Sequence, residues 1–156
     1  MKPKVFLETS VISYLTALPS RDLIVAAHQQ LTREWWNTRD RFDIFVSQAV
    51  LREARAGDPV AADRRLAAIR GIPVLDVTQE ASDLAESLLR DGALPARAAI
   101  DALHVAVAVI SGTDYLLTWN CTHLAHPRIR GIIEGLCRNA GLEPPAICTP
   151  EELLEE

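Results

Sequence analysis

Short apolar runs alternate with longer amphipathic stretches along the whole chain. The short runs predict strands at residues 5–7, 43–47, 73–77, 115–118 and 146–148. The stretches between them carry apolar residues at helical spacing and predict helices over residues 11–17, 21–38, 48–55, 58–70, 78–90, 96–110 and 127–139. Strands that alternate with helices are typical of an α/β domain whose central sheet is mostly parallel and is covered by helices on both faces.

Capping residues indicate where several helices begin. Asp58 followed by Pro59 is a favourable start, because proline suits the first helical turn. Ser20 is predicted to cap the long helix that follows it. Near the carboxyl terminus, Thr149 and Glu152 have the spacing of a capping box. We expect residues 149–156 to form a short helix or an acidic tail, and residues 1–156 to form a single domain.

The length and composition fit one folded domain. The chain has 156 residues, 49% hydrophobic and 24% charged, so it can bury a sizeable core and is neither disordered nor collagen-like. Its three cysteines are too few and too scattered for a disulfide framework. The apolar run at residues 5–7 is too short for a signal peptide or a membrane span. We therefore expect a cytoplasmic protein that does not associate with membranes.

Net charge does not by itself indicate a nucleic-acid-binding protein. The formal charge is −5, and the last six residues include four glutamates. All basic residues except Lys2 and Lys4 are arginines, whose planar guanidinium suits phosphate oxygens. A strongly basic nucleic-acid-binding domain would carry a positive balance. A role on nucleic acid therefore requires evidence from a site.

Polar residues that follow the predicted strands are the candidates for such a site. In parallel α/β sheets, ligands bind outside the carboxyl ends of the strands. Glu8 ends the first strand, Glu53 lies on the helix after the second, and Asn120 follows the fourth. Asp101 is the only acid in the apolar helix predicted over residues 96–110, where burial without a partner would be costly. We predict that these four residues meet at one edge of the sheet.

A divalent cation would relieve the repulsion among Glu8, Glu53 and Asp101. Mg²⁺ prefers hard oxygen ligands, often carboxylates together with water and phosphate. Such an ion activates water and stabilises the oxygens of a phosphoryl displacement. The hydroxyls of Thr9, Ser10 and Thr118 lie beside the proposed acids and are expected to support them through hydrogen bonds.

Each acid also has a plain structural interpretation. Glu8 is suited to stabilise the amino terminus of the following helix. Glu53 has the position of a solvated helix residue between two arginines. Asp101 can pair with Arg97 one turn earlier. Convergence in space would separate these interpretations from a metal site.

Four segments resemble the motifs of PIN domains. Residues 5–12 (VFLETSVI) resemble the family's opening, in which an acid is followed by Thr and by Ser or Asn. Residues 47–53 resemble the segment with the second acid, Glu53. Residues 99–106 (AIDALHVA) resemble the third-acid motif around Asp101, and residues 115–120 resemble the fourth motif. The resemblance spans residues 5–125 in the expected order.

The resemblance implies a three-layer α/β/α fold and an Mg²⁺- or Mn²⁺-dependent endoribonuclease. Glu8, Glu53 and Asp101 would hold the metal, and Asn120 would assist. Small single-domain members are mostly toxins of VapC-type toxin–antitoxin pairs. Such proteins are commonly homodimers that act on RNA and are neutralised by a small antitoxin filling the groove of the active site.

Two positions depart from the family pattern. Glu8 stands where Asp is usual, and its extra methylene would shift the metal or the backbone. Asn120 also stands where Asp is usual, so one negative charge is lost. The departures motivate an alternative function, a catalytically weak PIN module that binds RNA or a protein partner. A phosphotransfer receiver is a poor alternative, because it would need a lysine after the last strand and the chain has only Lys2 and Lys4.

Further residues have both functional and structural interpretations. Cys121, His123 and His126 invite a zinc site but lack a paired Cys-x-x-Cys, so a loop without metal is favoured. His104 follows Asp101 by one turn, and a satisfied core histidine is favoured over a residue near the site.

Two pairs of neighbouring residues also have two interpretations. The adjacent Trp35 and Trp36 point to different faces of one helix, so one should lie near the surface, at a protein interface or as part of the core. The arginine pairs at residues 64–65 and 128–130 suit phosphate contacts, although a solvated helix face is more common.

Overall fold

The computed structural model describes residues 1–92 and 94–154 of the chain. In this part of the chain, five strands form one sheet in the order β3-β2-β1-β4-β5, and every pairing is parallel. The strands are β1 (Lys4–Leu7), β2 (Asp43–Ser47), β3 (Val74–Leu75), β4 (Tyr115–Leu117) and β5 (Ala146–Cys148). The prediction of an α/β fold with a central parallel sheet is confirmed.

Helices connect the strands throughout the described residues. The α-helices are α1 (Thr9–Thr16), α2 (Leu23–Trp36), α3 (Gln48–Ala54), α4 (Pro59–Ala68), α5 (Gln79–Arg90), α6 (Ala99–Ile110) and α7 (Pro127–Asn139). Short 3-10 helices precede β2 and α6, at Arg39–Arg41 and Ala96–Ala98. No helix within the described ranges is both long enough and apolar enough to cross a membrane.

The strand order places the helices in two layers. The chain runs outward from β1 to β2 and β3, and then returns across the sheet to β4 and β5. Because crossover connections between parallel strands are right-handed, α1 to α4 cover one face and α5 to α7 the other. The contacts of α1 with α2, α3 and α4, and of α5 with α6, agree with this arrangement. The fold is the three-layer α/β/α arrangement that the resemblance implies.

The central strand β1 is the most deeply buried part of the sheet. Val5, Phe6 and Leu7 are all fully inaccessible to solvent, since β2 and β4 flank them and helices cover both faces. Burying each such side chain stabilises the fold by about 1.5–3 kcal/mol. The residue that follows β1, Glu8, therefore emerges at the middle of the sheet's carboxyl edge.

Several helix boundaries differ from the prediction for local reasons. Helix α1 begins at Thr9, two residues earlier than predicted, because the Glu8 side chain accepts the Ser10 N–H at 3.1 Å and caps it. The prediction that Ser20 caps α2 is wrong. Asp22 fills that role by accepting the Val25 N–H at 2.9 Å.

Other cap predictions agree with the structure. Asp58 accepts the Ala61 N–H at 2.9 Å and begins α4. The Thr149 and Glu152 side chains each accept the other's backbone N–H, at 3.2 and 3.1 Å, as a capping box does, and residues 150–153 form a turn. Residues 155–156 of the predicted tail lie outside the described residues.

The paired tryptophans occupy different environments. Trp35 is fully buried in the core, whereas Trp36 is partly exposed. The Arg39 guanidinium lies 4.3 Å from the centre of the Trp36 ring, a cation–π contact. As predicted, one of the two rings lies near the surface.

Candidate metal centre

The candidate site lies at the carboxyl ends of β1 and β4, the point where the strand order reverses. Connections leave β1 in one direction and approach β4 from the other, and the resulting crevice is where open α/β sheets bind ligands. The Glu8 N–H donates to the Leu117 carbonyl at 3.0 Å and extends the ladder by one residue. The side chain of Glu8 is thereby fixed over this crevice.

Glu8 is buried and accepts three hydrogen bonds from neighbouring residues. Its exposed fraction is only 5%. The Thr118 hydroxyl donates to Oε1 at 2.6 Å, and the Ser10 hydroxyl donates to the same oxygen. The Ser10 N–H donates to Oε2 at 3.1 Å. These donors, together with the amino terminus of α1, stabilise a negative charge at this position.

Glu53 reaches the same edge from α3. Its Oε1 accepts hydrogen bonds from the Thr9 hydroxyl at 2.6 Å and from His104 Nε2 at 2.5 Å. Burial alone would raise the pKa of Glu53, but the bonds from His104 and Thr9 and the attraction to His104 outweigh it and lower the pKa below its ordinary value. Glu53 is therefore ionised at neutral pH.

The consecutive residues Thr9 and Ser10 connect the two acids. Thr9 donates to Glu53, and Ser10 donates to Glu8. Ser10 Oγ also accepts the Trp119 N–H at 2.8 Å, which ties the start of α1 to the segment after β4. The carboxylates of two elements distant in sequence are thus oriented by one turn of helix.

His104 lies at the site, although it was not among the residues predicted to form it. The ring is fully buried, so His104 is a core histidine as favoured. However, its Nε2 contacts Glu53 at the site, and among the described residues its Nδ1 has no hydrogen-bond partner. The available signal was the spacing of three residues from Asp101, which places both side chains toward one side of α6.

One group of possible ligand atoms lies close together among the described residues. Carboxylate oxygens of Glu8 and Glu53 and a ring nitrogen of His104 all lie within 4.8 Å of one another. Asp101 is not part of this group. The structure thus brings two of the predicted acids together with a histidine that the prediction did not include.

Asp101 has its own partners at the same edge. Its Oδ2 accepts a hydrogen bond from Asn120 Nδ2 at 3.2 Å and lies 3.2 Å from His123 Nδ1. Asn120 Oδ1 accepts the His123 N–H at 3.1 Å. The Asn120 amide therefore orients Asp101 and holds the turn that follows, and its oxygen is already used within the protein.

Thr118 connects the two halves of the site. Its hydroxyl donates to Glu8 and accepts the Asn120 N–H at 3.0 Å. Asn120 in turn donates to Asp101. A continuous series of hydrogen bonds therefore runs from Glu8 to Asp101, although the two residues lie on different elements.

The hydrogen bonds from the described residues leave one carboxylate oxygen of Glu53 and one of Asp101 available to a ligand. Described residues donate to Glu53 Oε1 and Asp101 Oδ2, and donate nothing to Glu53 Oε2 or Asp101 Oδ1. Donors that fix one oxygen of a carboxylate and present the other are usual around metal ions. Carboxylate oxygens presented in this way could hold a divalent metal ion.

The other candidate groups have separate partners. His126 Nδ1 accepts the Arg128 N–H at 3.3 Å and caps α7, while His123 contacts Asp101, so the two do not form a zinc site with Cys121 in this arrangement. Arg64, Arg65 and Arg130 each donate to backbone carbonyls. These arginines therefore stabilise the fold with groups that would otherwise be available to phosphate.

Comparison with solved structures identifies the fold. VapC20 of Mycobacterium tuberculosis, described as a toxin that cleaves the sarcin-ricin loop, superposes with a TM-score of 0.55 at 24% identity. The match covers 72% of this chain and 86% of VapC20. The chain has a PIN-like fold. The resemblance of residues 5–125 to PIN domains predicted this fold, and the comparison confirms that prediction.

A second PIN-like neighbour was solved as a complex. VapBC2 of Rickettsia felis, bound to a DNA fragment from its promoter, matches with a TM-score of 0.55 at 16% identity. The match covers 80% of this chain and 93% of that chain. No family model matches the sequence. No curated protein matches it either.

Proposed function

We propose that this protein is a metal-dependent endoribonuclease of the PIN type and the toxin of a toxin–antitoxin pair. The observation that carries the proposal is the convergence of Glu8 and Glu53 at the reversal point of a PIN-like sheet, with Asp101 linked to them by hydrogen bonds. Isolated exposed acids would not need such a network. Glu8 also caps α1, as its structural interpretation expected, so for this residue the two roles coexist.

Glu8, Glu53 and Asp101 are the proposed ligands of Mg²⁺ or Mn²⁺. A bound cation would supply activated water and charge stabilisation for hydrolysis of an RNA phosphodiester. Glu53 and Asp101 each present one oxygen to which no described residue donates, and Glu8 is held by Ser10 and Thr118. In this arrangement Asn120 positions Asp101.

Two exposed arginines that are close in sequence to Glu53 and Asp101 are the proposed contacts to the RNA backbone. Arg52 precedes Glu53 on α3, and Arg97 lies in the 3-10 helix before α6; both are exposed. Arginine binds phosphate with two parallel hydrogen bonds. Because such contacts release counterions, binding of RNA is expected to weaken as salt rises.

An apolar surface beside the site is the proposed docking surface for the antitoxin. Leu18, Leu23 and Ile24 are 72, 86 and 69% exposed. Leu18 follows Ala17 and Ile24 precedes Val25 in the sequence, and Ala17 and Val25 line a cavity of about 370 Å³ between α1 and α2. Its lining consists of Ser10, Ser13, Tyr14, Ala17, Val25 and Gln29.

A partner in this cavity would contact Ser10, which bonds Glu8, and would therefore block the site. We further propose that the protein acts in the cytoplasm as a homodimer. The three cysteines are all free, in agreement with a reducing compartment.

A catalytically weak module is the second candidate function. The observation in its favour is Asn120, whose side-chain oxygen accepts the His123 N–H and whose replacement of Asp removes a charge. Such a protein would bind RNA or a protein partner through the same surface without cleaving RNA.

RNA cleavage by the purified chain separates the two functions. We expect cleavage with Mn²⁺ or Mg²⁺, none with EDTA, and none by Asp101→Asn. Asp63→Asn, which changes an exposed acid on α4, is the matched control and should cleave as wild type does. Equal cleavage by wild type and Asp101→Asn would indicate a contaminating nuclease. No cleavage with either metal would favour the weak module.

A further inference from the structure

Burial of the His104 ring is expected to destabilise the protein unless the ring makes a compensating interaction with another group. The ring has no exposed surface and packs against Phe6, with ring centres 6.2 Å apart. Its Nδ1 is buried, and no described residue forms a hydrogen bond with it. Leaving a polar atom unsatisfied in the interior is unfavourable, whereas an aliphatic side chain on α6 would avoid it. The contact of Nε2 with Glu53 is the interaction by which His104 can offset this loss of stability.

The contact to Glu53 defines the role of each ring nitrogen. An ionised carboxylate only accepts hydrogen bonds, so Nε2 carries the hydrogen in the 2.5 Å contact with Oε1. Nδ1 is buried and has no hydrogen-bond partner among the described residues.

A ring that donates a hydrogen from Nε2 cannot use the same atom to bind a metal ion. The short distances among the possible ligand atoms of Glu8, Glu53 and His104 allow two different roles for the histidine. In one role His104 is a ligand. In the other it donates to the ligand Glu53, together with Thr9, and turns Oε2 toward the cation. The bond to Oε1 and the absence of described donors on Oε2 favour the second role.

We propose that His104 is a positioning residue that fixes the Glu53 carboxylate for metal binding through its Nε2–H and is not itself a metal ligand. The inference rests on the proposed metal-dependent function and assigns a residue to that site. Histidine is suited to the task because its rigid ring projects a donor from the buried α6 to the half-exposed α3. Residues that orient a metal ligand typically contribute 10- to 100-fold to metal affinity.

Substitutions that keep or remove the donor test this role. A glutamine amide can place its nitrogen near the position of Nε2, whereas the shorter asparagine places it near Nδ1. We expect His104→Gln to retain most of the Mn²⁺ affinity measured by calorimetry. His104→Asn and His104→Leu should each weaken it roughly 10- to 100-fold. Thermal unfolding in EDTA identifies any variant that fails to fold, and His104→Leu should fold because it removes an unsatisfied polar atom.

A double-mutant cycle distinguishes a positioning residue from a ligand. If His104 acts through Glu53, His104→Leu will have little further effect on Mn²⁺ affinity in a Glu53→Gln background. Additive losses would identify His104 as a ligand and overturn the inference. Unchanged affinity in folded His104→Leu would do the same, since the ring would then serve packing alone. Failure of the wild type itself to bind Mn²⁺ would overturn the proposed function as well, and the wild-type titration reports that outcome separately.

Discussion

The buried hydroxyl of Thr118 donates to Glu8 Oε1 at 2.6 Å, across 110 residues of the chain. The same oxygen atom of Thr118 accepts the Asn120 N–H, so one side chain connects the end of β4 to the acid after β1. This relationship makes the carboxyl edge of the sheet a single hydrogen-bonded unit. It also means that a small change at Thr118 should affect both stability and metal binding.

Thr118→Val should destabilise the protein and weaken Mn²⁺ binding. Valine keeps the shape of threonine but leaves buried Glu8 short of a donor and the Asn120 N–H short of an acceptor. The free energy of unfolding should fall by about 1–3 kcal/mol. Urea denaturation and calorimetry measure the two effects. Thr122→Val, at an exposed position in the following turn, is the control and should leave both values unchanged.

Asn120→Asp should make the protein more dependent on metal. The substitution removes the amide that donates to Asp101 at 3.2 Å and replaces it with a second negative charge. Like charges at this distance disfavour ionisation of both groups. We expect a lower Tm in EDTA and a larger increase in Tm on addition of Mn²⁺ than for wild type. An unchanged Tm in EDTA would show that the two side chains do not interact strongly.

Two substitutions on α2 should differ strongly in their effect on stability. Trp35 is fully buried, and Trp35→Ala should cost about 3–5 kcal/mol because it leaves a large cavity. Ile24 is 69% exposed, and Ile24→Lys should change stability by no more than about 0.5 kcal/mol. Urea denaturation of both variants checks the contrast. A large loss for Ile24→Lys would mean that the apolar surface is covered within the protein and is not available to a partner.

The three thiols should differ in their reactivity toward alkylating reagents. Burial raises the pKa of Cys148 to about 12, with Glu152 adding to the effect, and burial also raises the pKa of Cys137. The thiolate is the reactive form, so both should resist iodoacetamide at pH 8 in the native protein. Cys121 is exposed and should be modified first, although burial of its thiol raises its pKa too. Mass spectrometry before and after unfolding in urea measures the order of modification.

Local sequence signals predicted most elements of the fold. Short apolar runs located the strands, and Asp58 with Pro59 marked the start of α4. The error at α2 arose because Ser20 and Asp22 are both good caps, and only the geometry of the turn decides which side chain meets a free N–H. Strand β3 is shorter than predicted because it lies at the sheet edge, where β2 alone among the described strands pairs with it.

The sequence by itself determined which residue types stand after the strands, and therefore that Glu8, Glu53, Asp101 and Asn120 belong to one edge of a parallel sheet. Only the tertiary structure decided how they are held. His104 meets Glu53 from 51 residues away, and His123 meets Asp101 from 22 residues away. Such contacts depend on the packing of α3 against α6 and on the path of the turn after β4. Hydrogen bonds between distant elements require angles and distances that no local pattern of residues encodes.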